Sequence, residues 1–325
     1  MRQVGSGKFV YKEVRHWGEF PEDWTAEDAP AIAVDSKDRL YMLTRHKDGL
    51  LIFDRHGHFI QSWGENLFER PHGLHIGPDD SVYIADDWAH SVYKFTPDGK
   101  LLMTIETRDH PSDTGYVRGQ VHEVLRAGPP FNNPTGVALS PQGDLYVSDG
   151  YGNARVHKFT SEGSLLLSWG EPGSGPGQFC TVHGVCVDKQ GLVYVSDRLN
   201  TRMQIFSPEG KLVDIWDDVR YPDNMCIDAE GNIYIAEVGC VFLYGRKALL
   251  GKPPARITMR DSRGNILSEW GEDDPEGAGL YFAPHGIAVD SRGDLYVSEV
   301  TTSYNFGKAP PDWGVLRKYI RIRGD

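Results

Sequence analysis

Apolar and polar positions along this chain fall into short runs that recur. Six segments share one pattern: an apolar run, a turn carrying Gly or Asp, then a second run opening beside a tyrosine. They are AIAVDSKDRLYMLTR, PHGLHIGPDDSVYIADD, PTGVALSPQGDLYVSDG, VHGVCVDKQGLVYVSDR, PDNMCIDAEGNIYIAEV and PHGIAVDSRGDLYVSEV, with Tyr41, Tyr83, Tyr146, Tyr194, Tyr234 and Tyr296 at the shared position. A third run follows most units, as in SVYKFTPDG, ARVHKFTSEG and TRMQIFSPEG, and a fourth follows that, as in HFIQSWGE and SLLLSWGE. Short β-branched or aromatic runs bounded by Gly, Pro and Asp are strands. Four strands per repeat predict an all-β fold, a six-bladed β-propeller whose tyrosines pack between blades.

The sixth unit stops at its third strand, VLRKYIRI, whereas the N-terminal segment FVYKEVRHWGEF ends like the fourth strand of the first unit. Residues of about 10–17 are therefore expected to complete the last blade, with Val10, Val14 and Trp17 buried, so that the ring leaves no open edge. Residues 1–325 then form a single propeller domain. The Trp-Gly ends at Trp17, Trp63, Trp169 and Trp270 belong to its outer rim. Two connections, about 106–130 and 240–262, are long enough for binding loops; His110, Arg118, His122 and Arg126 lie on the first.

Charge narrows the class. The 46 acidic side chains outnumber the 34 basic ones, a formal balance of −12, and no basic cluster is present. That composition argues against nucleic acid as a partner. No apolar run is long enough for a membrane-spanning helix. The first twenty residues contain no apolar core of a secretory signal. Cys180, Cys186, Cys226 and Cys240 show no metal-binding spacing and read as free thiols, so a cytoplasmic location is expected.

Candidate chemistry emerges when the units are aligned. The residue at the head of each innermost strand is, in order, Ala31, His72, Thr135, His183, Asp223 and His285. Histidine therefore occupies alternate blades, and three imidazoles are expected to converge on the channel axis. Three nitrogen ligands with an open fourth position are a catalytic zinc arrangement; Fe²⁺ or Co²⁺ are alternatives. Unrelated loop histidines are the competing explanation, and His75, His90 and His157 lie outside the register. The second strands end in Thr44, Asp86, Asp149, Asp197, Glu237 and Glu299, acids suited to bracing turns. Just beyond them stand Arg45, Tyr151 (after Gly150) and Arg198. An arginine facing a closed metal site is costly unless it meets a substrate charge, so Arg45 and Arg198 are candidates to hold a carboxylate or an alkoxide. Tyr151 is the candidate general acid or base.

The motifs FERPHGL, TVHGV and APHGI around the three histidines, with LYVSDGYGNARV, VYVSDRLNTRM and LYMLTRHKDG, resemble the peptidyl-α-hydroxyglycine α-amidating lyase family of NHL-repeat propellers over roughly residues 8–320. The resemblance implies zinc on His72, His183 and His285, Tyr151 as the base for the substrate hydroxyl, Arg45 beside substrate and metal, and Arg198 as a second channel arginine. The implied reaction cleaves an α-hydroxyglycine amide, or a similar small carbinolamide, to a glyoxylate-type carbonyl compound and a free amide. The implied partner is a small substrate bearing a carboxylate, with oligomeric state left open. Two positions depart from the family. Gly286 replaces an aspartate associated with structural calcium, which argues against Ca²⁺ here, and Gly152 replaces a cysteine that follows the tyrosine in secreted members. A metal-dependent hydrolase or hydratase of a small ester, lactone or amide shares every site residue, and a non-catalytic NHL scaffold needs none of them.

Overall fold

The computed structural model describes residues 2–14, 16–22, 24–25, 28–120, 123–239, 254–271, 281–305 and 313–323. Residues 240–253 of the second long connection, with Cys240 and His122, lie outside the described residues.

The strands assemble into six antiparallel blades of a β-propeller. Blade one is Ala31–Val34, Leu40–Leu43, Leu50–Phe53 and Phe59–Trp63, and blade two is Pro71–Ile76, Val82–Asp86, Ser91–Phe95 and Leu101–Glu106. Blade three is Pro134–Leu139, Leu145–Asp149, Arg155–Phe159 and Leu165–Trp169, and blade four is Val182–Val187, Val193–Asp197, Arg202–Phe206 and Leu212–Trp216. Blade five is Pro222–Ile227, Ile233–Glu237, Arg256–Arg260 and Ile266–Gly271, and blade six starts with Pro284–Val289, Leu295–Glu299 and Leu316–Ile322. The chain clusters into two compact units, Leu67–Pro222 with blades two to four, and Met1–Asn66 plus Asp223–Asp325 with blades one, five and six.

Local rules explain the repeat. After the first strand an aspartate folds back on the turn: Asp188 Oδ1 accepts the Gln190 and Leu192 N–H groups, and Asp228 and Asp290 do the same two and four residues on. The repeat tyrosine then donates to that aspartate, at 3.1 Å for Tyr194 and 3.0 Å for Tyr234. All six tyrosines are buried; Tyr41, Tyr194, Tyr234 and Tyr296 couple their own turn's aspartate to the packing between sheets, whereas Tyr146 donates to the Pro208 carbonyl.

Blade six is completed by the N-terminus. Strand Phe9–Val14 pairs antiparallel with Leu316–Ile322, Val10 opposite Ile322 and Val14 opposite Lys318. A further strand, Gln3–Ser6, adds a fifth member that the sequence pattern did not announce. The strand ends at Val14, and its inward face is shifted by one residue from expectation. Phe9 and Tyr11 are fully buried, whereas Val10 and Val14 are only half-buried. Period-two alternation means that such a shift exchanges the faces. Tyr11 packs on Trp270 of blade five, with ring centroids 5.5 Å apart, and Trp17 meets Tyr296 edge-on at 5.1 Å.

Candidate metal and proton-transfer site

One backbone device places the candidate residues. In five blades the residue just past the second strand donates its N–H to a carbonyl in the loop leading into the first strand. The pairs are Arg45 to Asp28 (3.1 Å), Asp87 to Arg70 (3.2 Å), Tyr151 to Asn133 (3.4 Å), Arg198 to Thr181 (3.1 Å) and Val300 to Ala283 (3.1 Å). The acids that end the second strands brace the same loop from below. Asp86 accepts the Glu69 and Arg70 N–H groups, Asp149 accepts Asn132, Asp197 accepts Cys180, and Glu299 accepts Phe282 and Ala283. Their turn-bracing role, expected from the sequence, is what the structure displays. His157 also belongs to this scaffold, with Nε2 3.2 Å from Asp149 Oδ2.

Blade three differs by one residue. Gly150 is inserted before Tyr151, and a Cβ at Gly150 would lie 2.1 Å from the Val182 carbonyl oxygen and 2.3 Å from its nitrogen. Only glycine lets the chain pass the neighbouring innermost strand there. The insertion carries the Tyr151 hydroxyl between two imidazoles, 3.0 Å from His72 Nε2 and 3.0 Å from His183 Nε2. The two histidine rings are themselves 4.8 Å apart between centroids.

Two of the histidines are oriented from behind. His72 Nδ1 lies 2.7 Å from the Thr135 carbonyl oxygen, and His285 Nδ1 lies 2.6 Å from that of Pro30. A carbonyl only accepts, so each Nδ1 carries the ring proton and each Nε2 keeps a lone pair in the neutral imidazole. Metal-binding histidines are commonly held this way. Glycines permit the approach. A Cβ at Gly73 would stand 2.8 Å from the Thr135 oxygen, and one at Gly286 would stand 2.4 Å from Ser298 Oγ. A larger side chain has no room at Gly286. His72 and His183 in one unit and His285 in the other are all buried. Three imidazole nitrogens suit zinc, and also iron or cobalt.

Arg45 and Arg198 lie at equivalent places in their blades. Arg45 Nη1 donates to Asp28 Oδ2 and to Ser303 Oγ, each at 2.8 Å. Burial opposes ionisation of Asp28, yet Arg45 and the Ser303 hydroxyl together hold its carboxyl below the ordinary range. Arg45 Nε is buried with no hydrogen-bond partner among the described residues. Such a buried donor costs about 1–3 kcal/mol unless a ligand satisfies it. Arg198 is buried at the start of a 3₁₀ turn, Arg198–Asn200. The partners Asp28 and Ser303, and the Thr135 and Pro30 carbonyls, were not visible in the repeat pattern, because they sit in connections or act through the backbone.

A cavity of about 400 Å³ opens beside these segments, lined among others by Val124, Asn153, Phe179, Cys180, Thr181 and Asn200. Thr181 has φ 64°, a left-handed conformation rare for a β-branched residue, as the chain turns toward His183. Burial, with Asp197 adding to it, pushes the Cys180 thiol up to about 11, so it is no thiolate nucleophile near neutrality. Among the described residues, Cys180, Cys186 and Cys226 are not joined in disulfides.

Residues 131–159 and 179–206 match the NHL repeat. The chain is 30% identical over 262 residues to peptidyl-alpha-hydroxyglycine alpha-amidating lyase 1 of Drosophila melanogaster, covering 73% of this chain and 44% of that protein. It is 29% identical over 237 residues to NHL repeat-containing protein 3 of Homo sapiens, covering 69% of this chain and 62% of that one. The chain thus spans less than half the length of the fly lyase. Among solved structures, a catalytically inactive variant of virginiamycin B lyase from Staphylococcus aureus superposes with a TM-score of 0.60 at 12% identity, over 97% of this chain and 100% of that one, a likeness of fold. With the repeat, the blades and the relatives in agreement, the chain belongs to the NHL-repeat β-propeller family that includes the peptidyl-α-hydroxyglycine α-amidating lyases.

Proposed function

We propose that this protein is a zinc-dependent lyase that cleaves the C–N bond of an α-hydroxyglycine amide or a similar small carbinolamide. The observation that carries the reading is the Tyr151 hydroxyl held 3.0 Å from both His72 Nε2 and His183 Nε2. An ionisable hydroxyl between two imidazole nitrogens is a proton-transfer group beside a donor set for a metal. His72, His183 and His285 would hold zinc, which supplies Lewis acidity toward an oxygen when bound.

The chain's own residues supply the rest. Tyr151, acting as its phenolate, takes the proton of the substrate hydroxyl on Oη as the carbon–oxygen bond becomes a carbonyl. The electron pair of the breaking C–N bond stays on the amide nitrogen, and Tyr151 returns the proton there. One carbinolamide gives one aldehyde and one amide, with no water consumed. Arg45, fixed by Asp28 and Ser303, is positioned to direct its remaining donors at the substrate carboxylate or the developing alkoxide. Arg198 is assigned a second contact to the same charge. The neutral amide relatives in this scheme are small molecules or peptide ends, and a cytoplasmic setting is part of the proposal.

The test offers α-hydroxyhippurate and related carbinolamides beside a panel of esters and lactones. Glyoxylate release without incorporation of labelled water supports the lyase. Turnover of only the esters or lactones refutes it and leaves a metal hydrolase. Elemental analysis should find about one zinc per chain, lost in His183→Ala; metal well below one per chain, unchanged by the substitution, removes the donor-set assignment.

A further inference from the structure

The connection between blades two and three is fastened to the corner that carries Tyr151. Thr114, fully buried, donates its hydroxyl to the Gly152 carbonyl at 2.5 Å and accepts from Asn132 Nδ2 at 3.2 Å. Its carbonyl takes the Leu125 and Arg126 N–H groups. A Cβ at Gly152 would lie 2.3 Å from Asn132 Oδ1, so the same knot accounts for glycine there. Beyond Thr114 the loop turns at Tyr116, whose hydroxyl accepts the Gly119 N–H at 3.1 Å. Arg118 stands in that turn.

Four arginines lie on this loop or beneath it, and three face carboxylates. Arg70 pairs with Asp87, Arg108 with Glu69 and Glu106, and Arg126 with Asp113. Arg118 is exposed and has no carboxylate partner among the described residues, in a chain whose formal charge is −12. It is nevertheless seated, with its guanidinium carbon 3.7 Å from the Trp88 ring centroid. Arg70 lies 5.4 Å from the Trp88 ring and 5.5 Å from the Tyr151 ring. A continuous stack therefore runs from Tyr151 through Arg70 and Trp88 to Arg118.

A guanidinium resting on an aromatic face keeps its in-plane N–H donors for a carboxylate. We propose that Arg118, seated on Trp88, is an anion subsite for a carboxylate at the far end of the substrate's acyl chain. It rests on the reading that the carbinol carbon is handled at Tyr151. The stack places Arg118 two side chains beyond Tyr151, so the group it meets is remote from the C–N bond. The favoured substrates carry an acyl group ending in a carboxylate, as in a dicarboxylic acyl chain or an acidic peptide.

Unreactive analogues separate this subsite from the chemistry. Equilibrium binding of N-glutarylglycine and N-hexanoylglycine compares acyl chains of similar reach that differ in the terminal charge. Wild-type protein should prefer the glutaryl compound by about tenfold at low salt, and Arg118→Gln should erase the preference without changing affinity for the hexanoyl compound. Trp88→Ala should act in the same direction by unseating Arg118. Equal binding of the two by wild type, or a preference that survives Arg118→Gln, overturns the subsite. Turnover of the α-hydroxylated counterparts is scored separately: no glyoxylate from either sinks the lyase reading, while the binding preference still decides the subsite.

Discussion

The corners around Tyr151 and Arg45 occupy the same place in their blades and use the same backbone hydrogen bond, yet they are built differently. At Tyr151 the second strand ends in Asp149, which is spent on scaffolding: it holds the Asn132 N–H, Asn153 Nδ2 and His157. The tyrosine meets the histidines through an inserted glycine. At Arg45 the second strand ends in Thr44, and the acid comes from the incoming loop. Asp28 grips the arginine itself and is gripped in turn by the Thr302 and Ser303 N–H groups at the head of the short helix Thr301–Asn305. A repeat can therefore assign an acid either to its framework or to its working side chain. The difference suits the proposed chemistry, since a proton carrier has to stay free to gain and lose a proton beside the donor set, whereas a permanent cation needs a fixed direction.

The largest effect should come from the tyrosine. Tyr151→Phe removes only the hydroxyl, so folding and metal content should persist while kcat falls by about 10²–10⁴. Rates measured on a metal-replete preparation with matched zinc content check this. Full activity in that variant would remove Tyr151 from the mechanism and dissolve the contrast between the corners.

Next comes the residue that creates the contrast. Gly150→Ala sets a methyl carbon 2.1 Å from the Val182 oxygen, a clash with backbone that no rotamer relieves. The expected loss is about 3 kcal/mol of stability, read from denaturant midpoints, together with reduced activity as the Tyr151 hydroxyl leaves the two ring nitrogens. Wild-type stability here would show that the inserted glycine is incidental.

Much of this was readable from the sequence, and the reason is periodicity. The blades, the alternate histidines at 72, 183 and 285, and the acids at the second-strand ends all repeat in register. Partners outside the period were hidden. Asp28 and Ser303 lie in connections outside the repeat, and the Arg70–Trp88–Arg118 stack joins a strand-end loop to the long connection at about 106–130. The N-terminal strand was located but its inward face was misassigned, because FVYKEV is apolar or amphipathic at alternate positions on both faces; the aromatic residues Phe9 and Tyr11 won the core over Val10 and Val14. Larger rings fill the space beside Trp270 that valine would leave empty.

The smallest effect distinguishes the corners by pH. Asp28 is held below the ordinary carboxylate range, where Arg45 and Ser303 outweigh the burial that opposes them. Asp197, beside Arg198, is pushed the other way: burial raises it against the pull of Asn200, the Cys180 N–H and Arg202. For Asp28 the unfolded chain binds more protons just below about pH 4, so its contribution is present above that pH and is lost as acid protonates the folded form. For Asp197 the folded chain binds more protons just above about pH 4. Its contribution is therefore full below that pH and declines as pH rises through the folded value. Stability measured by denaturant between pH 3 and 6 should show opposite changes of slope. Asp28→Asn should flatten the rise of stability with pH on the acid side, and Asp197→Asn should steepen the net rise by removing a term that falls. The absolute stabilities will differ, because Asp28→Asn leaves Arg45 without its carboxylate; the slopes are the discriminating quantity. Slopes displaced in the same direction by both substitutions would mean that the two acids do one job, and the division between framework acid and working acid would fail.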